Sequence, residues 1–302
     1  MTGTRARIGL ALTVIFWGGS FIAIKILLRE LNPAVITFVR FAMGVAILAG
    51  VSAKRGQLRL PRLREIPLLA LLGFSGIALH QWLQATGLQT ASASVTSWIV
   101  ATIPVFVALL GWLVLHERMG VWRVAGIGLA ALGVILVVAG GNPAALFAGR
   151  IGSIGDILIG LSAINWALFT ILSKRALDQG QAAAGEGGTS RPGQLMLHVM
   201  GFGWLFSLVW MAAAGGWDRL ASLSLAGWWA MLFLGIACSG LAYLFWYDAL
   251  DVIDATQAGV FLYFGPLVTA TLAWPILGET ITVGAAIGGL AILIGVWLVE
   301  RT

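Results

Sequence analysis

The sequence predicts an all-α polytopic membrane protein, with ten transmembrane helices arranged as two inverted five-helix repeats. Three observations carry this. The 302 residues are 60% hydrophobic and only 10% charged, with mean hydropathy +0.97, whereas soluble domains carry about 25% charged residues. The apolar residues gather into ten runs of about 20 residues, the length at which a helix crosses a hydrocarbon core. Finally, the chain reads twice. An offset of 149 pairs Trp17 with Trp166 and Lys25 with Lys174. A second offset, 162, pairs Gly73 with Gly235, Ala93 with Ala255, Pro104 with Pro266 and Trp112 with Trp274. It also pairs Glu117 with Glu279, Gly126 with Gly288 and Gly133 with Gly295. The change of offset falls on one polar insertion, Asp178 to Gly193. Five spans per repeat is an odd number, so the second repeat enters the bilayer upside down, as in transporters with inverted repeats.

The expected spans are 8–28, 34–52, 66–87, 93–115 and 121–140 in a first repeat of residues 1–142. They are 154–176, 194–214, 225–247, 255–277 and 281–299 in a second repeat of residues 154–302. Helix 1 follows Arg5 and Arg7, as a signal peptide would. It is longer than an ordinary signal core, lacks a small-x-small cleavage site before Lys25, and is needed to complete the repeat. Helix 2 starts at Asn32-Pro33, where proline is pre-set for a first helical position. Helix 3 carries His80, Gln81 and Gln84 within one turn or so. Helices 4 and 9 hold Pro104 and Pro266 near their middles; each removes a backbone hydrogen bond and is expected to kink its helix as a gating hinge. Helices 5 and 10 carry Gly126, Gly128 and Gly133, and Gly284, Gly288, Gly289 and Gly295. Such residues let backbones approach in lipid, as a sliding contact between halves, a static seam or a dimer face.

Helix 6 repeats the helix 1 stripe of Trp17, Phe21 and Lys25 as Trp166, Thr170 and Lys174. The insertion after it, from Asp178 to Gly193, is expected to be a flexible loop. Helix 7 has no counterpart of Arg40. Cys238, the lone cysteine, falls in helix 8 as a small buried residue, which excludes a disulfide framework.

A pI of about 10.2 and a net charge of +6 invite a nucleic-acid reading, but the placement of the charges argues otherwise. With the N-terminus inside, 13 of the 18 Lys and Arg lie on the inner side and only Arg29, Arg150 and Arg219 in outer loops. That asymmetry orients the chain in a cell inner membrane with both termini cytoplasmic. Basicity here serves orientation and anionic headgroups.

Catalytic signatures are missing: no P-loop, no HExxH, no paired cysteines, no G-x-S-x-G. His80, His116 and His198 lack metal-ligand spacing, and acids sit at helix ends. Neither an enzyme, a cofactor nor a metal site is expected. What remains is a set of aromatic and uncharged polar groups at mid-membrane depth, each needing a protein partner or a wet cavity. The candidate substrate-binding residues are Trp17, His80, Gln84, Trp98, Trp166 and Tyr243. Further polar or aromatic groups are Ser94, Thr102, Tyr247, Gln257 and Phe261. Arg40 has two readings: a bidentate holder of a substrate carboxylate, or a structural ion pair or carbonyl clamp near the outer face. Lys25 and Lys174 can snorkel to headgroups.

The FWGGSFIAIK start, the VRF of helix 2, the proline-centred helix 4 ending in HER, and the GPLVTATLAWPILGET of the second half together resemble the drug/metabolite transporter superfamily, in its ten-helix EamA branch. Within that branch the chain is similar to YddG-type exporters of amino acids, including aromatic ones. The resemblance implies a central cavity opening alternately to the two sides, with Trp17, His80, Trp98 and Trp166 near it. The expected partners are a small-molecule solute (amino acids or related metabolites) and the lipid bilayer, with no nucleic acid, in a monomer or weak homodimer. A drug or nucleotide-sugar carrier is the rival in the same class, and an integral-membrane enzyme the rival outside it.

The charge asymmetry makes the topology testable. Cysteines placed at Gly3 and within residues 178–193 are expected to resist impermeant reagents in intact cells, while cysteines at Gln89 and Ala145 label readily. The reverse pattern overturns both the topology and the charge argument.

Overall fold

The structure, a computed structural model, describes residues 3–115, 119–141, 152–184, 192–253 and 255–300. Among these, ten helical spans are long and apolar enough to cross a membrane. They are α1 (Gly3–Leu27), α2 (Pro33–Lys54), α3 (Leu63–Gly87), α4 (Ala93–Val100 with Ile103–Leu115), α5 (Val121–Val138), α6 (Ile154–Ala184), α7 (Pro192–Ala214), α8 (Leu225–Leu250), α9 (Ala255–Leu262 with Gly265–Leu277) and α10 (Val283–Glu300). The His116–Glu117–Arg118 end of helix 4 and the outer loop around Arg150 lie outside the described residues.

Local chemistry sets the helix starts. Asn32 accepts the Val35 N–H at 3.0 Å, with Pro33 opening α2, and Ser92 accepts the Val95 N–H at 3.1 Å at the start of α4. Ser224 does the same for Gly227 in α8. Each cap satisfies an amide that has no partner inside its own helix.

Three expectations are corrected. First, α6 runs on to Ala184 and α7 starts at Pro192, so the first part of the expected flexible loop is helix. Alanine and glutamine in that stretch favour helix even without tertiary contacts. Residues 185–191 lie outside the described set. Second, α4 and α9 are broken rather than simply kinked. Ala101 and Thr102, and Tyr263 and Phe264, form turns just ahead of Pro104 and Pro266, which open the second halves. Third, Lys25 does not reach for headgroups: its Nζ donates to the Leu88 carbonyl at 3.0 Å, at the end of α3.

Two features were not foreseen. Phe74–Leu79 of α3 and Phe233–Leu241 of α8 are π-helical, and the offset of 162 carries the first onto residues 236–241, inside the second. In such turns the backbone bonds to i+5 instead of i+4, so carbonyls face neighbouring helices.

The helix 5 and helix 10 glycines resolve into an internal seam. A Cβ on Gly126 would lie 2.5 Å from the Gly295 carbonyl oxygen, and one on Gly133 would lie 2.6 Å from that of Gly288. Since Gly288 is the mate of Gly126 and Gly295 the mate of Gly133, the two contacts are images of each other. Gly128, by contrast, faces open space. Overpacking a fitted contact costs about 1–3 kcal/mol, and here the neighbour is backbone that cannot swing aside. Gly295→Val is therefore expected to lower the thermal midpoint of the purified protein clearly, and Gly128→Ala to leave it unchanged. Equal midpoints for both variants would dissolve the seam as a stability element.

Candidate functional site

A cavity of about 200 Å³ lies between the two halves. Five pairs of its lining residues are related by the 162 offset: Ser97 with Gly259, Val100 with Leu262, Ala101 with Tyr263, Ile103 with Gly265, and Pro104 with Pro266. These residues form and flank the breaks of α4 and α9. Helix interruption exposes backbone and withdraws side chains, which is tolerated in a membrane only where it lines a cavity or is covered by protein. Trp17 and Trp166 line the same space, as do Gln81 and Tyr243, which the 162 offset also pairs. A dry cavity of about 150 Å³ accepts benzene, so this one has room for a compact organic solute.

The aromatic walls are held from behind. The Trp17 indole N–H donates to the Cys238 carbonyl at 3.1 Å, one of those in the α8 π-turn. Its ring meets Tyr243 edge-on at 5.4 Å and Trp246 at 5.4 Å. The Asn165 amide donates to the Ser75 carbonyl at 2.6 Å in the α3 π-turn, beside Trp166, which packs on His80 at 4.5 Å and on Phe169 at 4.9 Å. Each π-turn thus receives a donor from a helix of the other half: α1 serves α8, and α6 serves α3.

The polar groups at the centre include one guanidinium. Arg40 is buried yet lines the cavity; Nε donates to the Ser239 hydroxyl at 3.0 Å and Nη1 to the Gln81 side-chain oxygen at 3.1 Å. The expected ion pair or main-chain clamp near the outer face is therefore corrected. Arg40 belongs to the central cavity and its partners are neutral. His80 shares a hydrogen bond of 3.0 Å through Nδ1 with the Ser162 carbonyl. Gln84 is buried at the same wall. Phe21 and Ser20 complete this side.

Of the candidate residues, Trp17, Arg40, His80, Gln84, Pro104, Trp166, Tyr243 and Pro266 meet at the cavity. Trp98 does not. It is buried among Ala130, Val137 and Ile292, with its ring pressed on Gly289, so the missing Cβ of a seam glycine is filled by its indole. Tyr247 lines a separate cavity of about 100 Å³ with Arg55 and Asp248. Gln257 is exposed and Phe261 packs elsewhere. Sequence reasoning missed Tyr263, Glu300, Ser97 and Gly259 as lining residues. The offset that pairs Ser97 with Gly259 carried the signal for those two; nothing local marked Glu300.

The two ends of the cavity differ. It extends to Gly259 and to Glu300, the last residue of α10. At the opposite end the Glu279 carboxylate accepts the N–H groups of Ala93 and Ser94 at 2.8 and 2.9 Å and the Ser94 hydroxyl at 2.7 Å. A carboxylate on a helix N-terminus satisfies orphan amides and complements the helix dipole. Glu30 makes the equivalent hold on Ser224 at α8, at 2.7 and 2.6 Å. The Ser224 hydroxyl and then its N–H keep that carboxyl below its ordinary pKa. Both holds tie helices of different halves together at the end away from Glu300.

Residues 5–139 and 153–301 each match the model of the EamA-like transporter family. A protein of Archaeoglobus fulgidus, described as an uncharacterized transporter, is 33% identical over 296 residues, spanning 98% of this chain and 97% of its own. A probable terminal-alkyne amino-acid exporter of Streptantibioticus cattleyicolor is 26% identical, over 99% and 94% of the two chains. A solved crystal structure superposes over 99% of this chain and 96% of its own, with a TM-score of 0.66 at 18% identity, which shows a common fold.

The Glu279 hold yields a test. Glu279→Ala is expected to cost about 0.5–2 kcal/mol, as for other lost N-caps. It is also expected to raise labelling of a Ser97→Cys reporter by an impermeant reagent applied from the Glu279 side. Labelling that stays at the parent level means the closure there does not depend on this carboxylate.

Proposed function

The chain belongs to the EamA-like transporter family, and from that premise we propose that it exports amino acids, aromatic ones included, by alternating access through the central cavity. It is a multi-pass membrane transporter of a small solute. The observation that carries the finer reading is the cavity itself: equivalent positions of both halves build one aromatic chamber that extends to Glu300, while Glu279 joins the halves at the start of α4. With both termini cytoplasmic in a cell inner membrane, the Glu300 end faces the cytoplasm, where an exporter collects its load.

In this reading Trp17, Trp166 and Tyr243 form the faces against which the solute's apolar part lies. His80 and Gln84 orient its polar end through hydrogen bonds. Such a site selects by shape and by a few fixed donors and acceptors. The breaks ahead of Pro104 and Pro266 are where α4 and α9 change angle between states, since a broken helix bends at the least cost there. The name of the Streptantibioticus relative, an amino-acid exporter, supports the substrate class.

Purified protein in liposomes tests this directly, with a panel of amino acids as solutes. Flux of phenylalanine or tryptophan without chemical conversion is expected. Aromatic contact contributes about 0.5–1.5 kcal/mol beyond burial, so Trp17→Ala or Trp166→Ala should raise the half-saturation for aromatic solutes about two- to tenfold and leave threonine nearly unchanged. If both variants fold and the ranking of solutes stays the same, the two indoles are packing groups. Flux of drugs or sugar nucleotides in place of amino acids would move the chain to another branch of substrates.

A further inference from the structure

We propose that Arg40 is a carboxylate-binding site, and that the cavity selects organic acids with an apolar or aromatic body whether or not they carry an amine. This deepens the export reading by naming which part of the solute is recognised, and it rests on the same cavity.

The argument starts from an unneutralised charge. Arg40 is 4% exposed, within a membrane span, and lines the cavity. Its partners, the Ser239 hydroxyl and the Gln81 amide oxygen, are neutral. An acid partner is found instead by Arg55, which pairs with Asp248 at the ends of α2 and α8. A guanidinium in hydrocarbon without a counter-charge is expensive, and such residues mark solute pathways.

Geometry narrows the anion. Of five N–H groups on a guanidinium, Nε serves Ser239 and one on Nη1 serves Gln81. Among the described residues Nη2 has no protein partner. Nη2 and the second Nη1 hydrogen therefore remain as donors, enough for a carboxylate to take a charge-assisted pair. Aromatic and aliphatic walls continue from there through Trp17, Phe21 and Tyr243, which suits an organic body better than a hydrated inorganic anion.

The groups that hold Arg40 include no acid to receive an amine beside it. Among the described residues, the acid that lines the cavity is Glu300, at the far end of α10. The position paired with Arg40 by the 162 offset is Phe202, so the anion site occurs once and fixes a single orientation of the solute.

Binding to the purified wild-type protein, read by tryptophan fluorescence and thermal shift, tests this with four ligands of one size: 3-phenylpropionate, phenylalanine, phenylalaninamide and phenethylamine. The two carboxylates are expected to bind with comparable midpoints, and the amide and the amine at least about tenfold more weakly, the ratio for losing a charge-assisted pair. Arg40→Gln should erase that preference and Arg40→Lys retain part of it. If the Gln variant does not fold, the wild-type series and the Lys variant decide. Equal binding of phenethylamine and 3-phenylpropionate, or binding of none of the four, overturns the proposal. Tight 3-phenylpropionate binding without phenylalanine flux would support the anion site and sink the amino-acid reading. Phenylalanine flux inhibited equally by amide and carboxylate would do the opposite.

Discussion

A hydrocarbon environment supplies no hydrogen bonds, so every buried amide, carbonyl and polar side chain must find its partner within the protein. Much of the architecture follows from where those partners come from. Asn32, Ser92 and Ser224 finish helix starts from within their own turns, whereas Glu279 and Glu30 finish them from the opposite half. The π-turns invert the problem by presenting carbonyls outward, and Trp17 and Asn165 answer them. Satisfying the backbone and joining the halves are thus done by the same bonds. A substitution that loosens one loosens the other.

Chemistry enters where the two halves stop matching. The shell of the cavity is built from paired positions, but the polar groups are not. Arg40 faces a phenylalanine in its paired position, His80 an alanine at Ala242, and Gln81 a tyrosine at Tyr243. A fully symmetric chamber would treat the two ends of a solute alike. These three departures bring a guanidinium, an imidazole and an amide to the cavity, where of their paired positions only Tyr243 lines it, so the chamber is not alike on its two sides.

The spans, the doubled pattern and the placement of Trp17 and Trp166 at the cavity were legible in the residues because they depend on apolar run length and on periodic identity, both written along the chain. The helix breaks were legible as prolines, although a proline specifies only a lost bond and a clash, not how far the helix opens. The π-turns were not legible: the donors that meet them, such as Trp17 at the Cys238 carbonyl, come from another helix. Trp98 misled for the same kind of reason. Its depth and helix matched a cavity residue, but the space it fills is the absent side chain of Gly289, 191 residues away in a helix of the other half. Arg40 was visible as an anomaly, while its neutral partners lie on α3 and α8, beyond the reach of local pattern.

The glycine seam between α5 and α10 has a consequence for how the chain is joined. Its two contacts, Gly126 with Gly295 and Gly133 with Gly288, are related by exchange of the halves, which makes the surface isologous: each half offers the other the patch it itself receives. An isologous surface is what a two-fold homodimer uses. Recognition between the halves therefore resides in the patch together with the cross-half hydrogen bonds, and the segment linking α5 to α6 adds effective concentration. In assembly terms, the molecule behaves as a dimer of unlike twins whose tether sets how often they meet.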